Sequence, residues 1–179
     1  MLKPIDYAHA LLEEIIEKGD TVIDATMGNG NDTAFLAKLT HQVYAFDIQE
    51  QAIQSTKKRL YQLGLQAQLI LDGHENVDQY VNQPIKAAIF NLGYLPQSDK
   101  SIITQSETTI QSLEKIMKQL VLGGRIALVV YYGHEGGQDE KESLLKWAEN
   151  LEQTQWSIYV YRPVNQIHQP PFVLTIEKL

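Results

Sequence analysis

Apolar positions along the chain follow two periods, one typical of helices and one of buried strands. Apolar residues recur at helical intervals from Asp6 to Glu17, whereas Arg125 to Tyr131 is a nearly continuous apolar run. The predicted strands are Thr21–Asp24, Gln42–Asp47, Ala67–Leu71, Ile85–Asn91, Arg125–Tyr131, Trp156–Tyr161 and Phe172–Glu177. The predicted helices are Asp6–Glu17, Asn31–Leu39, Glu50–Leu63, Glu75–Val81, Thr104–Val121 and Glu140–Asn150. Strands and helices therefore alternate over most of the chain.

The order of these elements predicts the fold class. Strands that alternate with helices favour a parallel sheet. Each crossover helix returns the chain to the end of the sheet at which the previous strand began, so the next strand runs in the same direction. The last two strands have only a proline-bearing loop between them, so we expect an antiparallel hairpin. We therefore predict an α/β fold with an open seven-stranded sheet, mostly parallel with an antiparallel C-terminal strand, and helices on both faces. The sequence has no internal repeat or linker, which favours one domain over residues 1–179.

Composition narrows the function classes. With 179 residues, 44% of them hydrophobic, the chain can bury a sizeable core. No apolar run is long enough to span a bilayer and no secretory signal is present, which predicts a cytoplasmic protein without a membrane partner. The absence of cysteine excludes disulfides and thiolate nucleophiles, and His74 has no partner at metal-ligand spacing. We expect no metal site.

The net charge of −7 bears on nucleic-acid binding. Broad, sequence-independent binding needs many phosphate contacts from Lys and Arg, so an acidic protein argues against it. A small, shaped RNA contact is compatible with this charge. Local positive spots are offered by Lys57-Lys58-Arg59, by Lys115 with Lys118, and by Arg162, although each can also be a solvated helix face.

A glycine-bearing loop follows the first predicted strand. The segment from Asp24 to Gly30 contains Gly28 and Gly30 and leads into a helix that begins with Asn31-Asp32-Thr33. The glycines allow a sharp turn and close approach to a ligand, and the free amides of the helix start favour a negative group. The loop is therefore predicted to hold the carboxylate end of a nucleotide-like cofactor. A dinucleotide fingerprint requires a small residue where Thr33 stands, which disfavours a nicotinamide-dependent oxidoreductase.

Polar side chains close the first four predicted strands, namely Asp24, Asp47, Asp72 and Asn91. Because open α/β sheets bind ligands beyond the carboxyl ends of their strands, we expect these side chains to share one pocket. Asp47 is placed to accept both ribose hydroxyls of an adenosine, with Ile48 and Gln49 flanking it. The alternative for Asp47 is a strand-ending polar residue or a helix cap.

Two of these strand ends resemble motifs of class I S-adenosylmethionine-dependent methyltransferases. The spacing Asp24-x-x-x-Gly28-x-Gly30 resembles the first motif of that family. The resemblance implies that the loop backbone contacts the methionine half of the cofactor and that Asp24 helps to hold its amino group. Asp72-Gly73-His74 resembles the position that holds the adenine edge.

The fourth strand ends in a segment that carries candidate catalytic residues. Asn91-Leu92-Gly93-Tyr94 resembles the (Asp/Asn)-Pro-Pro-Tyr motif of amino-methyltransferases, with Leu92 and Gly93 in place of the prolines. In such a motif the Asn carboxamide oxygen accepts a hydrogen bond from the amine and aims its lone pair at the sulfonium methyl, while the aromatic ring packs on the substrate. Asn91 and Tyr94 are therefore the predicted catalytic residues, and a plain turn with Tyr94 packed inward is the alternative. Candidate acceptors of the amine proton are His74, Asp99 and His134.

Several blocks of the sequence together resemble the YtqB-like family, also known as MnmM, of class I methyltransferases. The blocks are Asp24-Ala25-Thr26-x-Gly28-Asn29-Gly30-x-Asp32-Thr33, Phe46-Asp47-Ile48-Gln49, Asp72-Gly73-His74-Glu75-Asn76, Asn91-Leu92-Gly93-Tyr94-Leu95-Pro96, Asn165-Gln166 and Pro170-Pro171-Phe172-Val173-Leu174. The resemblance implies a Rossmann-like class I methyltransferase fold with S-adenosyl-L-methionine (SAM) as cofactor. The implied cofactor-binding residues are Asp24, Thr26, Gly28, Asn29, Gly30, Asn31, Asp32, Thr33, Asp47, Ile48, Gln49, Asp72, Gly73, His74 and Asn91.

The resemblance also implies a reaction and a partner. The family's activity is methylation of the primary amine of wobble 5-aminomethyl-2-thiouridine in tRNA, giving 5-methylaminomethyl-2-thiouridine. A compact anticodon arm can be held by a few basic residues and by stacking on a flipped base. The candidate stacking residues are Tyr94, Tyr131, Tyr132 and Tyr161. Two alternatives remain open, an N-methyltransferase of a small-molecule amine, which the acidic charge favours, and a non-catalytic SAM-binding module. A homodimer is a further hypothesis.

Overall fold

The computed structural model describes residues 1–93, 106–133 and 136–179. Its helices are α1 (Pro4–Glu13), α2 (Asn31–Leu39), α3 (Glu50–Leu63), α4 (Ser106–Gln119) and α5 (Gly137–Glu149), and a 3-10 helix covers His74–Gln79. Its strands are β1 (Thr21–Asp24), β2 (Gln42–Asp47), β3 (Gln68–Leu71), β4 (Ile85–Leu92), β5 (Leu120–Val130), β6 (Trp156–Tyr161) and β7 (Phe172–Lys178). The predicted alternation of strands and helices is confirmed.

The strands form one sheet in the order β3-β2-β1-β4-β5-β7-β6. The neighbouring pairs β3–β2, β2–β1, β1–β4 and β4–β5 are parallel. Strand β7 pairs antiparallel with both β5 and β6. The predicted α/β class, with a mostly parallel seven-stranded sheet and an antiparallel C-terminal strand, is therefore confirmed. The strand order reverses between β1 and β4, and open α/β sheets bind their ligands in the crevice at such a point.

Apolar cores on both faces of the sheet fix the end of β4. On one face Phe90 belongs to a buried cluster with Ile116 of α4 and Leu144 of α5. On the other face Ile89 belongs to a buried cluster with Leu12 of α1. Because neighbouring residues of a strand point to opposite faces, β4 is anchored from both sides. This anchoring fixes the backbone that leads into the predicted catalytic segment.

Two elements differ most from their predicted bounds. Helix α1 begins at Pro4, where proline suits a first helical turn, and it ends at Glu13 rather than Glu17. Strand β5 begins at Leu120, before the two glycines that were expected to separate helix from strand. Leu120 continues the apolar spacing of α4 but is buried opposite Ile85 of β4. Periodicity alone could not distinguish these two roles of Leu120.

Candidate active site

The crevice between β1 and β4 brings the first and fourth strand ends together. Asp24 lies opposite Ile89 in the parallel register, and the Ala25 amide donates to the Ile89 carbonyl at 2.9 Å. Beyond this pair, the Asn91 backbone amide donates to the Thr26 hydroxyl oxygen at 2.6 Å. The glycine loop and Asn91 therefore lie side by side.

Helix α3 holds the glycine loop in place. The Thr56 hydroxyl donates to the Gly28 carbonyl at 3.2 Å, and Arg59 Nε donates to the Asn29 carbonyl at 2.7 Å. Gly28 and Gly30 have φ values of 51° and 75°, in the left-handed region that favours glycine. A Cβ at Gly30 would lie 2.6 Å from Thr56 Oγ1. The loop therefore requires glycine at this position and is fixed from the α3 side.

Asp47 lies at the end of β2, against the glycine loop. Its carboxylate accepts hydrogen bonds from the Gly28 and Gln49 backbone amides, each at 2.9 Å. Each carboxylate oxygen has a second lone pair, so further donors such as ribose hydroxyls can still bind. Ile48 is 62% exposed, which leaves an apolar surface next to this carboxylate.

Asp24 is fully buried at the end of β1. Its carboxyl group accepts hydrogen bonds from the Thr33 hydroxyl at 2.6 Å and from the Thr26 amide at 3.2 Å. Burial raises the pKa of Asp24 to about 8, and the negative charges of Asp32 and Asp47 act in the same direction. Because Asp24 keeps its proton up to about pH 8, the negative charge of the pocket comes from Asp32 and Asp47, and it suits a ligand that carries positive charge.

The raised pKa of Asp24 predicts a pH effect on stability. The folded protein keeps a proton that the unfolded chain loses near the ordinary carboxyl pKa, so the free energy of unfolding falls as the pH rises from that value to about 8. Asp24→Asn lacks this titration. Urea unfolding between about pH 5 and pH 8 should therefore show the wild type losing stability relative to the variant as the pH rises. Parallel stability curves for the two proteins would contradict the raised pKa.

Asp32 of α2 joins two other parts of the site. One carboxylate oxygen accepts a hydrogen bond from Asn91 Nδ2 at 2.9 Å, and the other lies 2.7 Å from Nε2 of His9 in α1. The His9 ring stacks on Phe35 with centroids 3.9 Å apart and an interplanar angle of 3°. Asp32, a predicted cofactor-binding residue, therefore uses both carboxylate oxygens within the protein.

The predicted adenine-binding segment, Asp72-Gly73-His74, follows β3 as expected. The Asp72 carboxylate accepts hydrogen bonds from the Asn76 side-chain amide at 2.9 Å and from the Tyr80 hydroxyl at 2.8 Å, and both lower the pKa of Asp72. His74 is buried, and its Nδ1 lies 3.0 Å from the Ala25 carbonyl, so this nitrogen carries the proton. Burial lowers the pKa of His74, which makes it a weaker acceptor for an amine proton.

The candidate stacking tyrosines differ in their surroundings. Tyr161 stacks on Tyr7 with centroids 4.0 Å apart, and Tyr132 packs against Phe172 at 5.8 Å. Tyr131 is 42% exposed, and burial of the remainder together with the Asp32 charge raises its pKa. Tyr131 therefore lies near the acidic pocket and offers a partly exposed ring. Tyr94 and the candidate proton acceptors Asp99 and His134 lie outside the described residues.

Asn31, a predicted cofactor-binding residue, begins α2 as expected, and its side chain is exposed. Three other residues that shape the site were not indicated by the sequence. Arg59, considered only as part of a positive spot, instead binds the glycine loop together with Thr56. His9 lies on α1, and its contact with the site depends on how α1 packs. All three are polar residues on helices that also have an apolar face, and the sequence offered no other signal for them.

The sequence predicts neither a metal site nor a membrane partner. Over residues 1–93, 106–133 and 136–179, no three His, Cys, Asp or Glu side chains are grouped so that they could bind a metal ion. Over the same ranges, no helix has the length and apolar character that crossing a membrane requires.

Known proteins of similar sequence cover most of the chain. The family model described as "Putative rRNA methylase" matches residues 43–177. The Arabidopsis thaliana protein named "tRNA (mnm(5)s(2)U34)-methyltransferase, chloroplastic" is 39% identical over 191 aligned positions, which cover 98% of this chain and 70% of that protein.

Solved structures of similar proteins share the whole fold. A Streptococcus mutans protein in complex with SAH is 49% identical, with a TM-score of 0.95 over 100% of this chain and 99% of the other. An rRNA methylase from Streptococcus thermophilus is 46% identical, with a TM-score of 0.88 over 100% and 98% of the two chains. The predicted Rossmann-like class I methyltransferase fold is confirmed. This chain belongs to the family described as "Putative rRNA methylase", as the resemblance of its motifs to the YtqB-like proteins predicted.

Proposed function

We propose that this chain is a SAM-dependent N-methyltransferase that acts on tRNA and converts wobble 5-aminomethyl-2-thiouridine to 5-methylaminomethyl-2-thiouridine. The observation that carries the proposal is Asn91, fixed beside the glycine loop in the β1–β4 crevice. The name of the Arabidopsis relative specifies tRNA as its substrate. The Streptococcus mutans neighbour binds SAH, the compound that SAM becomes after donating its methyl group.

The residues of the site fit the proposed cofactor. The negative charges of Asp32 and Asp47 complement a ligand with a sulfonium and an ammonium group. Gly30 lets the backbone approach a ligand closely, Asp47 retains lone pairs for ribose hydroxyls, and Ile48 offers apolar surface for an adenine ring. When bound, SAM supplies an electrophilic methyl group on sulfur.

The proposed role of the chain in the reaction is alignment. The Asn91 carboxamide oxygen accepts a hydrogen bond from the substrate amine and directs the nitrogen lone pair toward the methyl group. Asn91 thereby sets up an in-line displacement, in which the S–CH3 bond breaks as the N–CH3 bond forms. The methylated nitrogen then releases a proton to solvent water. In this proposal Tyr94 packs on the substrate.

The proposed partner is the anticodon arm of tRNA, bound over a small area. Tyr131 supports this part of the proposal because its partly exposed ring lies near Asp32 and can stack on a flipped base. The net charge of −7 favours a contact with few phosphates. The proposal also includes a single methyltransferase domain over residues 1–179 and a cytoplasmic location. A homodimer stays a prediction.

One other function has a specific observation in its favour. The acidic charge of the protein suits an N-methyltransferase of a small-molecule amine, because such a substrate is cationic and carries no phosphate. The same Asn91 geometry would serve this reaction. The two functions differ only in what carries the amine.

Methyl transfer to tRNA separates these functions. The purified protein is incubated with SAM carrying a labelled methyl group and with tRNA from cells that lack the wobble methylation. We expect label in tRNA, and mass analysis of the digested nucleosides should show 5-aminomethyl-2-thiouridine replaced by its methylamino product. If free amines are methylated while the tRNA takes up no label, the small-molecule function is favoured. SAM binding without any methylated product would indicate a non-catalytic module.

A further inference from the structure

We propose that His9 and Asp32 are positioning residues that determine which end of the Asn91 carboxamide faces the substrate amine. This inference rests on the proposed function, because it concerns how Asn91 is held for amine methylation. It assigns a role to α1, a helix that the sequence motifs do not include.

The two ends of a carboxamide have opposite hydrogen-bonding character. The oxygen accepts a hydrogen bond from an amine, whereas the NH2 group can only donate. If the Asn91 carboxamide were reversed, its NH2 group would compete for the amine lone pair that attacks the methyl group. The orientation of this one side chain therefore decides whether the amine is aligned or trapped.

The carboxylate of Asp32 sets this orientation. A carboxylate only accepts hydrogen bonds, so the Asn91 atom that lies 2.9 Å from it is the nitrogen Nδ2. The carboxamide oxygen, on the other side of Cγ, then points away from Asp32. The Asn91 backbone amide is fixed as well, by its hydrogen bond to the Thr26 hydroxyl at 2.6 Å.

His9 in turn fixes the carboxylate. Its Nε2 lies 2.7 Å from the second Asp32 oxygen, and its ring is held by the stack on Phe35. The Asp32 side chain is 6% exposed and the His9 side chain 25%, so water competes little for these hydrogen bonds. A hydrogen-bonded chain thus runs from α1 through α2 to the end of β4.

Asp32→Ala and Asp32→Asn test the role of the acceptor. Asp32→Ala removes the group that holds Nδ2, so we expect kcat for methyl transfer to fall about 100-fold, as for a reacting group displaced by about 1 Å. Asp32→Asn can still accept from Asn91 through its oxygen while its NH2 group donates to the other tautomer of His9. We expect this conservative variant to retain most of kcat. Because Asp32 also contributes negative charge to the pocket, we expect the SAM Kd, measured by calorimetry, to rise in both variants, but by far less than kcat falls in Asp32→Ala.

His9→Phe tests the second link. A phenyl ring can keep the stack on Phe35 but lacks the donor to Asp32, so we expect a smaller loss of kcat than in Asp32→Ala. His41→Phe is the matched control, because His41 is exposed and precedes β2. It therefore lies at the amino ends of the parallel strands, whereas the site lies at their carboxyl ends. This control should match the wild type. If Asp32→Ala does not fold, His9→Phe carries the test with the same measurements.

The NMR signals of the Asn91 side-chain NH2 group provide a readout that needs no substrate. They are identified by their absence in Asn91→Ala. In the wild type and in Asp32→Asn we expect them to exchange slowly with water, and in Asp32→Ala to exchange as fast as those of exposed asparagines.

Three results would overturn the inference. They are unchanged Asn91 signals in Asp32→Ala, equal losses of kcat in Asp32→Ala and Asp32→Asn, and a fall in SAM affinity that matches the loss of kcat. If tRNA is not methylated at all, the proposed function fails, while the NMR comparison still decides how Asn91 is oriented.

Discussion

Asn91→Ala is expected to lower kcat for methyl transfer about 100- to 1,000-fold while leaving the fold intact. The substitution removes the proposed acceptor of the amine hydrogen bond, and with it the alignment of the lone pair. It keeps the backbone amide that donates to Thr26, so the β1–β4 crevice should hold its shape. Single-turnover methyl transfer measures the rate, and calorimetry measures SAM affinity in parallel.

The control for this variant is Asn82→Ala, at an exposed asparagine before β4. This substitution should change neither kcat nor SAM affinity. A wild-type rate in Asn91→Ala would contradict the catalytic role of Asn91. A loss of SAM affinity equal to the loss of rate would instead make Asn91 a cofactor-binding residue only.

Gly30→Ala should destabilise the protein and weaken SAM binding. The residue has a φ of 75°, which costs a side-chain-bearing residue about 1–2 kcal/mol. Its Cβ would also lie 2.6–2.9 Å from three Thr56 atoms, and overpacking of this kind costs about 1–3 kcal/mol more. Relief of the clash would move the loop from its position against α3. Urea unfolding and SAM calorimetry measure the two effects.

Gly64→Ala separates the backbone effect from the clash. Gly64 ends α3 with a φ of 65°, and a Cβ there would have no neighbour within 4 Å. This variant should therefore show only the backbone cost and keep wild-type SAM affinity. If both variants lose equal stability and bind SAM equally well, the packing of Thr56 against the loop is not needed for the site.

The fold could be predicted because its signals are local. Each strand of the parallel sheet is a short apolar run, and each crossover helix has its own apolar spacing, so neither requires knowledge of distant contacts. The start of β5 could not be predicted in this way. Leu120 fits the apolar spacing of α4, and only its pairing with Ile85 decides in favour of the strand.

The site was predictable at the strand ends and less so elsewhere. Topology alone brings Asp24, Asp47 and Asn91 to one edge of the sheet, and the sequence named all three. The hydrogen bond between Asn91 and Asp32 spans 59 positions, and the contact between His9 and Asp32 spans 23. Such contacts depend on how α1 and α2 pack on the sheet, which local patterns do not report.

The position of β7 has a consequence for synthesis on the ribosome. β7 is made after β6 but lies between β5 and β6, pairing with both. Until residues 172–178 have been translated, β5 has no partner on that side, and its unpaired backbone groups can pair with another nascent chain. The order of translation therefore delays completion of the sheet and makes β5 the segment that chaperones would need to shield.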